Sequence, residues 1–180
     1  SKAPKKGLNL DFFHTPNGEP CYIGHDDGYY DARQRFLMIV QQMRQTLGDD
    51  AVTFIQDRGF WGEDFMKAMT DMDLCFIQWE KGYEDDAWND KYTYSGQTTI
   101  IRRKNNTRDR SKLRFYFREQ LWKKHPNGRR IIVRTSAVNG KVREFSIVTN
   151  DPALSAEKII ELIFNRWIQE GDFSYENSHF

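Results

Sequence analysis

Apolar residues along this chain follow two different periods. Between Ala32 and Gly48, Phe36, Ile39, Val40, Met43 and Leu47 recur at spacings of three and four, which predicts a helix with one buried face. Asp31 stands where an N-cap belongs and Gly48 where a helix stops. Ahead of it, GLNLDFFHTPNGEPCYIGH holds two apolar runs separated by Pro16, Asn17, Gly18 and Pro20, a β-hairpin pattern. Behind it, AVTFIQDRGF is a short β-branched run closed by Asp57, Arg58 and Gly59. GEDFMKAMTDM then reads as a short helix and LCFIQWEKG as a further strand. Strand, helix, strand predicts a parallel crossover and an α/β layered fold, with Asp57 at the carboxyl end of the first strand.

After Gly82 the helical period stops. An acidic patch with Glu84, Asp85, Asp86 and Asp90 leads into a strongly basic stretch. RRIIVRTSAVNGKVREFSIVT then predicts two strands joined at Asn139 and Gly140, the dipeptide suited to a two-residue type I′ turn. In AEKIIELIFNRWIQEGDF, Ile159, Ile160, Leu162, Ile163 and Trp167 make a wide apolar face. Ser155 can cap that helix, Glu157 suits its N-terminal dipole, and Arg166 and Glu170 stand one turn apart. The expected division is 1–82 for the first part of the core, 83–148 for a β-rich basic insertion and 149–180 for completion of the core.

At 180 residues, with 38% hydrophobic and 29% charged, the chain is long enough for one domain with a core, or for one domain carrying an insertion. No stretch approaches the run of apolar residues needed to cross a membrane, and the start SKAPKKGLNL lacks the apolar segment of a signal peptide. These features predict a cytoplasmic protein with no membrane partner. Cys21 and Cys75, far apart in strand-like runs, are expected to be buried small hydrophobes and not a disulfide or thiolate site. The net charge of +1 hides segregation: from Arg102 to Arg134, thirteen Lys and Arg face only Asp109 and Glu119. Interleaved with Phe115, Tyr116, Phe117 and Trp122, that block suits a phosphate backbone with bases stacked nearby, and it equally suits a solvated basic face.

Phosphoryl transfer on two metals needs carboxylates converging on hard cations. Asp57 at a strand end and Glu170 on a long helix are candidates, although a strand-end Asp is more often a cap and a Glu one turn after Arg166 more often an ion-pair partner. FIQDRGFWGEDF resembles the segment around the second aspartate of the DDE transposases of bacterial insertion sequences. VTNDPALSAEKIIELIFNRWIQE resembles the stretch around that family's glutamate. The family motif there is Tyr, two residues, Arg, three residues, Glu, six residues, Lys. Arg166 and Glu170 match its Arg and Glu, whereas Ile163 stands in place of the Tyr and Asn177 in place of the Lys.

The resemblance implies an α/β, RNase H-like mixed sheet flanked by helices, with a mainly β, basic insertion between the second Asp and the Glu. It implies that Asp57 and Glu170, with an aspartate expected upstream of Ser1 in a chain cut at both ends, hold Mg²⁺ or Mn²⁺, and that Arg166 supports the chemistry. Asp11 is a weaker candidate for the first acid because its run aligns with the family's second strand, and Asp31 aligns with a capping position. The DNA contacts implied are Arg58, Arg102, Arg103, Lys104, Arg108, Arg110, Lys112, Arg114 and Trp122, with Trp122 and Trp88 as candidates to stack on an extruded base. The partners would be double-stranded DNA, at transposon ends and target, and a second copy of the chain. The rival expectation is a non-catalytic DNA-binding remnant, and a third is another RNase H-like nuclease. A zinc enzyme is disfavoured because His14, His25, His125 and His179 lack ligand spacing, and no serine or cysteine nucleophile motif is present.

Overall fold

The structure, a computed structural model, describes residues 9–16, 19–26, 31–48, 52–84, 94–103, 110–136 and 142–166. It divides into two compact units, 1–50 and 51–180.

The first unit contains β1 (Asn9–His14), β2 (Pro20–Asp26) and α1 (Ala32–Leu47). β1 and β2 pair antiparallel, with one irregularity between Phe13 and His14. Asp31 caps α1 through the Arg33 amide and also holds the Arg33 guanidinium. Those bonds push its carboxyl down to about 2. Phe36, Ile39 and Val40 are buried, as their spacing predicts, and the Phe36 ring meets that of Phe13 at 5.4 Å. Asp11 accepts a hydrogen bond from Arg35 Nε, and Arg35 also donates to the His25 carbonyl. Asp11 therefore ties strand to helix.

In the second unit, β3 (Thr53–Gln56) is followed by a 3-10 turn (Arg58–Phe60), α2 (Glu63–Asp71) and β4 (Cys75–Trp79). Then come β5 (Gly96–Arg103), β6 (Arg110–Leu121), β7 (Arg129–Ser136), β8 (Val142–Thr149) and a helix, α3, described over 156–166. The strands form one six-stranded sheet in the order β3-β4-β8-β7-β6-β5. β3 and β4 are parallel, as a crossover through α2 requires, and all other pairs are antiparallel.

Each strand presents alternate residues to opposite faces, and the two faces are covered differently. One carries Ile77, Trp79, Phe115, Phe117, Ile131, Val133 and Ile147, closed by Ile159, Ile160 and Ile163 of α3. Ser155 caps α3 through the Lys158 amide. The opposite face carries Gln56, Phe76 and Gln78 under α2: Gln56 Nε2 reaches Met69 Sδ, and His125 meets both Thr70 and the Phe76 ring. The result is a mixed α/β layered fold with helices on both sides of the sheet.

β8, from the 83–148 stretch, runs beside β4, with Ile77 opposite Thr149, so apolar residues of both segments share one core. One expectation is corrected. Cys21 is exposed and Cys75 only partly buried, because an outward strand position accepts a small thiol as readily as a core position does. β7 and β8 pair antiparallel as expected, with Ser136 and Val142 the last described pair. Asn139 and Gly140 themselves lie outside the described residues.

Candidate functional site

β3 is short and its last residue, Gln56, is buried, so the chain leaves the sheet at Asp57 with that side chain turned to the α3 side. The Asp57 carboxylate accepts from the Arg58 amide at 2.7 Å and caps the 3-10 turn. Its main-chain carbonyl accepts from the Phe60 amide at 3.0 Å and from Gln78 Nε2 at 2.7 Å. Gln78 is wholly buried on β4, directly opposite Gln56 in the parallel register. The backbone at Asp57 is thus held from two directions while its carboxylate stays open to solvent.

Arg166, on the last described turn of α3, brings Nη1 to 3.5 Å from Asp57 Oδ1. The Asp57 side chain is 60% exposed and that of Arg166 17%. A pair this open to water stabilises by about 0–1 kcal/mol, so its consequence is orientation more than stability. The structure therefore joins Asp57 and Arg166, two positions more than one hundred residues apart in sequence. Glu170 lies outside the described residues. Among the described residues no group of three or more His, Cys, Asp or Glu converges as a metal-binding cluster.

The nucleic-acid candidates fare differently. Arg58 is exposed on the 3-10 turn, and Lys112 and Arg114 are exposed on β6. Arg102, Arg103 and Arg110 are strand residues, with Arg103 opposite Arg110. Lys104, Arg108 and Trp88 lie outside the described residues. Trp122 is corrected: it is 4% exposed, 5.7 Å from the Trp61 ring and stacked on His125 at 6.1 Å. It has no face to offer a base, because the turn after β6 packs it between Trp61 and His125.

The basic block is also partly neutralised, by Glu119 within it and by Glu80 and Glu144, which sequence order keeps apart from it. Arg129 pairs with Glu119 at 2.6 Å and donates to the Asp151 and Leu154 carbonyls. Glu80, at the end of β4, takes hydrogen bonds from Arg130 Nε at 2.7 Å and Ser146 Oγ at 2.6 Å. Glu144 of β8 takes bonds from Arg134 and from the Tyr83 hydroxyl, and the Arg130 guanidinium lies 5.0 Å over the Tyr83 ring. This cross-strand network, absent from the candidate residues, takes up Arg130 and Arg134 with acids from outside the block, while Arg129 pairs within it.

At the opposite end of β3, Asp151 is buried before α3. Burial alone would push its carboxyl up, but Thr53, the Ala153 and Leu154 amides and Arg129 together hold it below its ordinary value. Asp151 thereby pins the start of β3 to the loop that launches α3, so both elements that carry the Asp57–Arg166 pair are fixed. Among the described residues no helix is long and apolar enough to cross a membrane. Set against known proteins, the chain matches no protein-family model and no curated protein.

Proposed function

We propose that this chain is the catalytic part of a DDE-type transposase, cutting and joining double-stranded DNA with a divalent cation, on an RNase H-like form of the mixed α/β fold. The observation that carries the reading is the corner where Asp57 leaves the parallel pair β3–β4 with an exposed carboxylate and Arg166 of α3 stands 3.5 Å away. Ligands of open α/β sheets gather at the carboxyl ends of parallel strands. Asp57 offers hard oxygen atoms open to solvent, the donor type that Mg²⁺ or Mn²⁺ takes. Asp57 and Glu170, which follows Arg166 by four residues, are the residues that would hold it. Such an ion, when bound, neutralises charge on the attacking and leaving oxygens of a phosphodiester. In this reading Gln78 holds the Asp57 backbone, Arg166 balances charge beside the carboxylate, and exposed Arg58 meets a DNA phosphate. Transposon ends and target DNA would be the substrates, a dimer would form on DNA, and the protein would act in the cytoplasm at the nucleoid.

One observation favours a second reading, a DNA-binding protein without chemistry: Asp57 already caps the turn and pairs with Arg166, a structural role complete in itself. Plasmid nicking in Mg²⁺ by the full-length protein separates the two. Asp57→Asn and Glu170→Gln are expected to abolish nicking with DNA affinity unchanged. Nicking retained by either variant removes the catalytic assignment, and DNA binding by a wild-type protein that never nicks selects the second reading.

A further inference from the structure

We infer that the face of β6 turned away from α3 is a binding surface for single-stranded DNA. The inference rests on the proposed function only for the identity of the polymer. β6 buries Phe115 and Phe117 on the α3 side, so Lys112, Arg114, Tyr116, Arg118 and Gln120 occupy the other face in unbroken alternation. Lys112 and Arg114 are exposed and make no ion pair among the described residues. Tyr116 follows them, half-buried, its ring 5.3 Å from that of exposed Tyr94.

Alternate residues of a strand stand about 6.6 Å apart, close to the distance between successive phosphates of an extended single strand. A duplex spaces the phosphates of each strand similarly but keeps its bases stacked inside, out of reach of the Tyr94–Tyr116 pair. Among the described residues, Glu144, two strands across from Tyr116 on this face, is held by Arg134 and Tyr83 and does not neutralise the row. The β5 residues opposite, Gln97 across from Tyr116 and Thr99 across from Arg114, are exposed, polar and uncharged. Cations in register with phosphates beside a tyrosine pair able to take a base are the two elements of sequence-tolerant strand binding.

The test is fluorescence anisotropy with a labelled dT 20-mer, its dT–dA duplex and a rU 20-mer, across a salt series. The wild-type chain is expected to bind the dT strand at least fivefold more tightly than the duplex. Lys112→Gln with Arg114→Gln should weaken it about tenfold and lower the salt slope by about 1.4. Tyr116→Ala should cost fivefold or more, with Tyr116→Phe near wild type. Lys123→Gln with Lys124→Gln, exposed in the turn beyond β6, should change affinity less than twofold. Equal or tighter duplex binding, tighter rU binding, an unchanged slope in the Lys112 and Arg114 variant, or an equal loss in the Lys123 and Lys124 variant overturns the inference. Because the readout is binding, failure to nick plasmid sinks only the catalytic proposal, and failure to bind the strand sinks only this one.

Discussion

Replacing Gln78 by Met separates stability from site geometry. Gln78 Nε2 donates to the Asp57 carbonyl at 2.7 Å, while its Oε1 is buried without a hydrogen-bond partner. Losing the hydrogen bond costs about 1 kcal/mol, and removing a buried unsatisfied oxygen returns about 1–3 kcal/mol. Met is nearly isosteric, so little cavity forms. The expected net change runs from zero to about 2 kcal/mol of added stability, read as a shift in urea midpoint at constant slope. Gln78→Ala loses the same bond and leaves a void, so it should be destabilised by about 2–3 kcal/mol. The Asp57 carbonyl keeps only the Phe60 amide in both variants. Faster hydrogen exchange at the Arg58 and Phe60 amides should follow, and a roughly tenfold drop in nicking where nicking is seen. A Gln78→Met protein destabilised by more than about 2 kcal/mol, or one with unchanged exchange at the turn, refutes this account of the side chain.

Other perturbations have equally definite signs. Asp151 has a folded-state pKa below its unfolded value, so its contribution is present above the unfolded value near 4 and is lost as pH falls through the folded one. Asp151→Asn should accordingly flatten the acid limb of a stability-against-pH curve below about pH 4, and an unchanged limb contradicts the assignment. Trp122→Ala should cost about 3–5 kcal/mol in chemical denaturation, and a weakened DNA affinity with unchanged stability would return Trp122 to the binding surface. Glu144→Gln leaves Arg134 without its buried counter-charge and should cost about 3 kcal/mol, whereas the double change with Arg134→Met should recover most of it in a double-mutant cycle. Gly96→Ala places a Cβ 2.6 Å from the Phe117 ring across the strand pair and should lower the melting temperature by several degrees, corresponding to about 1–3 kcal/mol.

Local periodicity carried much of this architecture. The run from Phe36 to Leu47, the cap at Asp31 and the order β3, α2, β4 follow from spacing and capping chemistry acting over a few residues. The return of β8 to β4 did not, because the pairing of Ile77 with Thr149 is decided by side chains meeting in a shared core and leaves no local pattern. Charge misled for the same reason: Glu80 and Glu144 lie outside the basic block in sequence, yet they neutralise Arg130 and Arg134 in space. Trp122 sat in a run whose composition is the same for a buried aromatic as for an exposed one. At the site, Asp57 was legible as a strand-end acid and Arg166 as a helix residue, but their approach depended on which face of the sheet α3 covers. Gln78 left a readable trace, a lone amide inside the apolar run LCFIQW, where an unexplained polar residue signals a backbone to be held.

The junction of β4 with β8 has a kinetic consequence. The antiparallel chain from β5 to β8 is assembled from neighbours in sequence, whereas joining it to β4 closes a loop of about seventy residues. Contacts of long sequence separation form late because their entropy must be met before they reward it. The strands that frame Asp57 are synthesised ahead of their partner and then wait for it, so the acid corner matures last. A defect anywhere along the later strands would surface first as a failure of that corner to assemble.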